Sequence, residues 1–417
     1  MSQWQGFYKL SWADRVKLTA ANKELDDQQV ALIEANYDAV GSQLVENYLY
    51  NFGVPTGLLL DLPVNGQLVV VPMTTEEPSV IAAANNGAKM MRAGDGVHTK
   101  MTQRLVRGQV ILTDVTDFQA LGQWIAEEET NLIDQINATR PSMVKRGGGL
   151  KKLEVQVLDD STAEVTLFVD TQAAMGANVV NSLSEAVSRL LRAQGYNVLM
   201  GILSNYATES IVEAEVRIPV DALKAKDGTA GDVVAQKIAQ ASYIEELTPY
   251  RAVTSNKGIM NGVEAVALAS GNDTRAINAA LHAYASRNGQ YRGLVNWTVE
   301  GDALVGRTEM PILIGVVGGS IGIVPAVKLN HVLMGMPDVE QLSNILAATA
   351  LAQNLAALRA LVSTGIQAGH MALQGKSLAL QVGASPEEVP QLAAALEAGG
   401  KFDELTARTL LSALREQ

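Results

Sequence analysis

The sequence contains no cysteine. That absence excludes disulfides, thiolate nucleophiles, cysteine-held zinc and iron–sulfur clusters, and it fits a reducing compartment. Histidine is scarce as well. The four present, His98, His282, His331 and His370, do not fall at metal-ligand spacing, so no structural metal is expected. Positive charge is in deficit: 32 basic against 44 acidic residues leave a net charge of −12. Such a surface does not suit a general nucleic-acid binder, and any anionic ligand must be met by a local basic cluster. Clean membrane spans are missing too, because Ile312–Val317 is too short and Ile345–Val362 carries Gln353, Asn354 and Arg359. The N-terminal segment bears charges throughout and has no secretory apolar core. A cytoplasmic protein with neither nucleic acid nor membrane as partner is expected.

What is present is an ordinary globular composition, 47% hydrophobic and 18% charged over 417 residues, enough for two or three domains. Ser11–Asn36 reads as helical and Val45–Tyr50 continues in that style. Two apolar runs, Leu58–Leu62 and Gln67–Pro72, flank Asn65-Gly66, the strongest hairpin signal in the chain. Ser79–Arg92 has helical spacing. From Gly108 to Pro219 the pattern is strand Gln109–Val115, helix Phe118–Ala138, strands Lys152–Leu158 and Glu164–Val169, helix Val179–Ala193 and strand Val198–Leu203, with Ile211–Ile218 strand-like again. That β-α-β-β-α-β order is a ferredoxin-like, split βαβ unit. Beyond it, Val263–Ala269 reads as a strand and Thr274–Ser286 as a helix. Gln341–Val362 is a helix apolar on most sides, hence buried. Ile366–Gln417 is a helical appendage.

Seven segments could carry chemistry, and most have a plainer alternative. Glu76 and Glu77 precede a helix start, where acids also simply complement the helix dipole. Lys257, between Asn256 and Gly258 and read as lying in a turn before a strand, is either an exposed turn residue or a desolvated electrophile and proton relay. Asp273 is an N-cap or a partner that returns toward Lys257. His370, in Gly365-Ile-Gln-Ala-Gly369-His370, is structural or a proton donor on a hinged flap. Ala174-Met175-Gly176-Ala177-Asn178 opens a helix whose free N–H groups suit a diphosphate. The basic run Arg140–Arg146, with Lys145, is a solvated loop or a phosphate clamp. Gly315–Gly322 lacks a Walker ending, and tight backbone packing accounts for it.

Taken in order, Glu-Glu-Pro-Ser, Ala-Met-Gly-Ala-Asn, Asn-Lys-Gly-Ile-Met-Asn-Gly, Gly-Asn-Asp and Gly-Ile-Gln-x-Gly-His-Met-Ala-Leu resemble the class II (bacterial-type) 3-hydroxy-3-methylglutaryl-coenzyme A reductases over nearly the whole chain. The resemblance implies an α+β fold in three parts. Residues 1–106 and 220–365 would form a large mixed helix/sheet substrate domain. Residues 107–219 would form an inserted ferredoxin-like nucleotide domain, and 366–417 a helical C-terminal flap. It implies a homodimer with active sites at the subunit interface, higher oligomers being open, and the reduction of HMG-CoA to mevalonate and free coenzyme A in isoprenoid biosynthesis. The family's catalytic residues fall on Glu77, Lys257, Asp273 and His370. Its substrate contacts fall on Ser79, Arg251, Asn261, Gln353, Ala357 and Leu361, and its cofactor contacts on Met175, Gly176, Ala177, Asn178 and Asn205. Where NADH-using members carry an aspartate this chain has Arg140, and Lys145 and Arg146 lie close by. Ala173 replaces a second family aspartate, so NADPH rather than NADH is expected. Two alternatives remain: the same chemistry run oxidatively with NAD in mevalonate degradation, or a non-catalytic coenzyme A or nucleotide binder on this fold.

Overall fold

The computed structural model describes residues 3–225, 227–363 and 375–416. The N-terminal helices α1 (Trp12–Lys23) and α2 (Asp27–Ala35) start where side-chain caps exist, at Ser11 and at the Asp26/Gln29 capping box. A short α3 (Gly41–Leu44) follows. The expected helical continuation over Val45–Tyr50 does not form. Asn47 takes a left-handed φ of 57°, and Tyr48 turns inward, its hydroxyl accepting from the Asp38 N–H at 2.8 Å. A loop closes there instead.

Strands β1 (Thr56–Val64) and β2 (Gln67–Thr74) pair antiparallel with Val64 opposite Gln67. Asn65 and Gly66, at φ 48° and 78°, supply the two positive φ angles of a type I′ turn. Helix α4 (Val80–Met91) follows the hairpin. Strand β3 (Val97–Arg104) then leads into β4 (Val106–Thr113), α5 (Phe118–Ala138), α6 (Pro141–Val144), β5 (Gly149–Val157), β6 (Ala163–Asp170), α7 (Ala177–Ala193) and β7 (Asn197–Leu203). These four later strands form an antiparallel sheet of order β5-β6-β4-β7, the ferredoxin-like arrangement, with its own apolar core.

Strand β8 (Ser210–Pro219) is not part of that unit, contrary to the 107–219 boundary. It pairs with β3 and with β10 (Ala303–Pro311), inside a six-stranded sheet of order β2-β1-β3-β8-β10-β9, where β9 is Val295–Glu300. The small unit therefore leaves from β3 and returns into its sheet neighbour. The neck is closed by the Leu105 N–H donating to Glu209 O at 2.7 Å and the Ser210 hydroxyl donating to Leu105 O at 2.8 Å.

Helices α8 (Gly231–Leu247) and α9 (Pro249–Ala269) cover the large sheet together with α10 (Thr274–Ala285), α11 (Pro325–Leu333) and α12 (Val339–Val362). The expected strand Val263–Ala269 and the expected turn at Lys257 are both absent, because 249–269 is one continuous helix. Its buried positions, among them Ala252, Asn256, Ile259, Val263 and Val266, recur at helical spacing. Asn-Lys-Gly and Asn-Gly mimic turn signals inside it. Gly262 serves helix packing, since a Cβ there would lie 3.2 Å from Gln353 of α12. α12 has the length and apolarity of a membrane span, but 72% of its most apolar window is buried inside the fold. It is a core helix. In the tail, 375–381, Val389–Gly399 and Glu404–Arg415 are helical and gather a separate small cluster around Leu392, Leu396 and Leu411.

Candidate functional site

The turn from β2 into α4 and the middle of α9 meet at one carboxylate. Glu77 Oε1 accepts the Ser79 hydroxyl at 3.0 Å, and Oε2 faces Lys257 Nζ at 3.2 Å and Asn261 Nδ2 at 3.3 Å. Lys257 and Asn261 are i and i+4 on one helix, so both point to the same side. Lys257 remains 65% exposed in the single chain. Its ammonium is held by Glu77 but open on its other side to a reacting group.

A cleft of about 420 Å³ opens from this pair. Ser79, Arg251, Asn261, Gln353, Ala357 and Leu361 all line it together with Glu77 and Lys257, so the structure brings these eight together. Gly258 lies on its wall with nothing among the described residues within 4 Å of where a Cβ would be. Among the described residues Gln353 Oε1 is buried without a hydrogen-bond partner, as an acceptor awaiting a ligand would be. Arg251 Nη2 stands 3.5 Å from Oε1 of Glu245, a fully buried carboxyl that burial pushes up to about 7. A second, smaller cleft of about 270 Å³ runs from Glu77 and Lys257 along α9 to Thr274 and His282.

Asp273 does not join Glu77 and Lys257 within one chain. It caps α10, accepting from the Arg275 and Ala276 N–H groups, and the Arg275 guanidinium beside it holds its carboxyl below the usual carboxylate range. The unbroken helix explains the separation, because the stretch from Lys257 to Ala269 extends roughly 18 Å at ~1.5 Å per residue. His370 lies outside the described residues.

The expected cofactor residues collect at one end of the small sheet. Register puts Gly149 opposite Asp170 and Leu203 opposite Gly108. The Arg140–Gly149 loop, the Thr171–Asn178 turn and the chain after Leu203, with Asn205, therefore emerge together. Gly176, at φ 101°, packs so closely on Thr171 that a Cβ would come within 2.3 Å of its side chain, leaving the first N–H groups of α7 open to an anion. Arg140, Lys145 and Arg146 are all exposed beside this end.

Sequence reasoning missed the clamp that ties this end to Asp273. Asn272 donates to Gly315 O at 3.1 Å and accepts from Gly315 N at 2.8 Å, and Val316 N donates to Ala173 O at 2.8 Å. Arg104 donates to Ala174 O and Ile314 O, each at 2.8 Å. Gly315 is thus a packing glycine, as expected, since a Cβ would meet Met175 N at 2.4 Å. Gly318 and Gly319 are different: both are left-handed with open space around them. The glycine density was the only legible signal.

The hydroxymethylglutaryl-coenzyme A reductase family model matches residues 11–375. The 3-hydroxy-3-methylglutaryl-coenzyme A reductase of Archaeoglobus fulgidus is 36% identical, covering 98% of this chain and 94% of the relative. A solved structure of the Streptococcus pneumoniae reductase is 43% identical, with a TM-score of 0.76 over 99% of this chain and all of that one. A second S. pneumoniae structure, of the class II reductase bound to NADPH in open conformations, is 43% identical with a TM-score of 0.76, covering 97% of this chain and 100% of that chain.

Proposed function

The chain belongs to the hydroxymethylglutaryl-coenzyme A reductase family, and from that premise we propose that it reduces HMG-CoA to mevalonate and coenzyme A with NADPH. The observation that carries the reading is the Glu77–Lys257–Asn261 cluster at the mouth of a cleft lined by Arg251 and the apolar face of α12.

When bound, the nicotinamide supplies hydride in two successive transfers. Lys257 stabilises the oxyanion that forms on the thioester carbonyl, and its 3.2 Å approach to Glu77 supports placing the two groups at the same reacting carbon. Glu77 delivers a proton as the aldehyde is reduced, and His370 protonates the departing thiolate. Arg251 binds the free carboxylate of the substrate through its planar fork. Gln353, Ala357 and Leu361 hold the acyl and pantetheine end, Ser79 and Asn261 orienting Glu77 and substrate alike.

Asp273 acts from a second copy. Its distance along α9 supports a homodimer in which each site takes Glu77 and Lys257 from one protomer and Asp273 from the other. The α7 N-terminus, with Met175, Gly176, Ala177 and Asn178, takes the diphosphate, Asn205 lies beside it, and Arg140, Lys145 and Arg146 meet the 2′-phosphate. The nucleotide unit is the insert beyond the Leu105–Glu209 neck, residues 366–417 act as a flap, and the enzyme is cytoplasmic. Spectrophotometric loss of NADPH with HMG-CoA tests the reading; no turnover with either nicotinamide cofactor would overturn it.

A further inference from the structure

Glu245 is a buried carboxyl that the reaction does not use. It sits near the end of α8, and Arg251 sits just inside α9, so the two flank the corner at Thr248. Glu245 is completely buried, and neither carboxylate oxygen has a hydrogen-bond partner among the described residues. Space for it exists because residue 293 is glycine, where a Cβ would stand 3.0 Å from Glu245 Oε2.

The charged groups around it are few. Arg251 approaches from α9 at 3.5 Å. Glu246 adds like charge from α8 itself but is engaged by Arg292, from the segment before β9, at 3.5 Å. The neutral hydroxyls nearby keep their own O–H to donate, and that of Ser255 pulls the Glu245 carboxyl down. Ser242 accepts from the Trp297 N–H, and Ser255 accepts from Asn354 of α12. Among the described residues Arg251 is thus the cation that faces Glu245, while its other side lines the cleft.

We propose that Glu245 is a positioning residue that competes for Arg251, so that the grip on the substrate's free carboxylate weakens when Glu245 ionises. The proposal rests on Arg251 being the carboxylate site. One guanidinium between two carboxylates cannot satisfy both at full charge. A neutral Glu245 leaves Arg251 to the ligand, and an ionised one draws it back toward the interior. By linkage, binding the anionic substrate makes Glu245 take up a proton. Burial already pushes its carboxyl up to about 7, against the smaller opposing pulls of Ser255 and Arg251, so the exchange falls in the neutral range.

The test is KM for HMG-CoA between pH 6 and 8.5 in the wild type and in Glu245→Gln, with proton uptake on HMG-CoA binding measured calorimetrically in two buffers without NADPH. The wild-type KM rises roughly tenfold, the change a one-unit rise of the Glu245 pKa on binding produces. In Glu245→Gln this rise disappears, and proton uptake disappears with it. Parallel KM profiles in active enzymes, or no proton uptake by the wild type, overturn the proposal and leave the reductase reading standing. Absence of all turnover strikes that reading instead, and the calorimetry still decides the role of Glu245.

Discussion

Lys257 and Glu77 approach within 3.2 Å across a separation of 180 residues, joining the middle of α9 to the turn that precedes α4. The pair is partly exposed, so it contributes little to stability, about 0–1 kcal/mol. Its value is chemical. Lys257→Ala is expected to lower kcat by about 10²–10⁴-fold, the range for losing an oxyanion stabiliser or proton relay. Binding of the coenzyme A ester and the urea midpoint should stay near wild type. Single-turnover kinetics and equilibrium binding check both, and unaffected turnover would refute the assignment of Lys257.

Because Asp273 caps α10 beyond the far end of α9, the proposed reading draws Asp273 into the site from a second copy. Lys257→Ala and Asp273→Ala, each inactive alone, are therefore expected to complement when co-expressed. A mixed dimer holds one site with both native residues, so random pairing restores about one quarter of wild-type activity. Failure to complement, with mixed dimers demonstrated by two affinity tags, would place both residues in one protomer.

Much of this arrangement was readable beforehand, for identifiable reasons. The hairpin at Asn65-Gly66 and the Phe118–Ala138 helix were legible because local chemistry and tertiary structure agree there. The α9 region reads as turns because Asn256, Gly258, Asn261 and Gly262 are turn formers, whereas the helix as a whole is held by its packing on α12, which Gly262 admits. Strand β8 was grouped with the small unit because sheet membership depends on partners distant in sequence. The meeting of Glu77 with Lys257 followed from the order of motifs, whereas the separation of Asp273 depends on α9 being a helix. No pattern pointed to Glu245, since a glutamate near a helix end ordinarily reads as solvated.

The cofactor preference should follow the exposed cations beside the α7 N-terminus. Arg140→Asp is expected to raise the KM for NADPH at least tenfold and to leave that for NADH within a few-fold, because a carboxylate repels the 2′-phosphate. The preference should also weaken with added salt, as exposed charges are screened over roughly 8 Å at physiological ionic strength. The ratio of kcat/KM for the two cofactors measures it, and an unchanged ratio would move the phosphate site elsewhere.

Two helical glycines should respond oppositely to alanine. A Cβ at Gly87 would lie 2.0 Å from the Ala352 carbonyl oxygen, forcing α4 away from α12, and Gly87→Ala is expected to cost about 2–3 kcal/mol. Gly258 has open space instead, so Gly258→Ala should gain about 0.5–1 kcal/mol of helix stability. It should also raise the KM for the coenzyme A ester, because the methyl group enters the cleft. Urea titrations and steady-state kinetics separate the two effects.

The buried carboxyl at 245 also gives the fold a pH dependence of definite sign. Its ordinary pKa of 4.5 in the unfolded chain rises to about 7 in the native one, chiefly through burial. Between those values the native state binds the extra proton, so the stability contribution is whole below about 4.5 and is lost as pH climbs through 7. The loss approaches ~3 kcal/mol as an upper limit. Glu245→Gln, neutral at every pH, should match the wild type in urea stability at pH 4.5 and exceed it at pH 8. Equal stability of the two proteins at pH 8 would mean that Glu245 is solvated, or fully compensated by Arg251, when ionised.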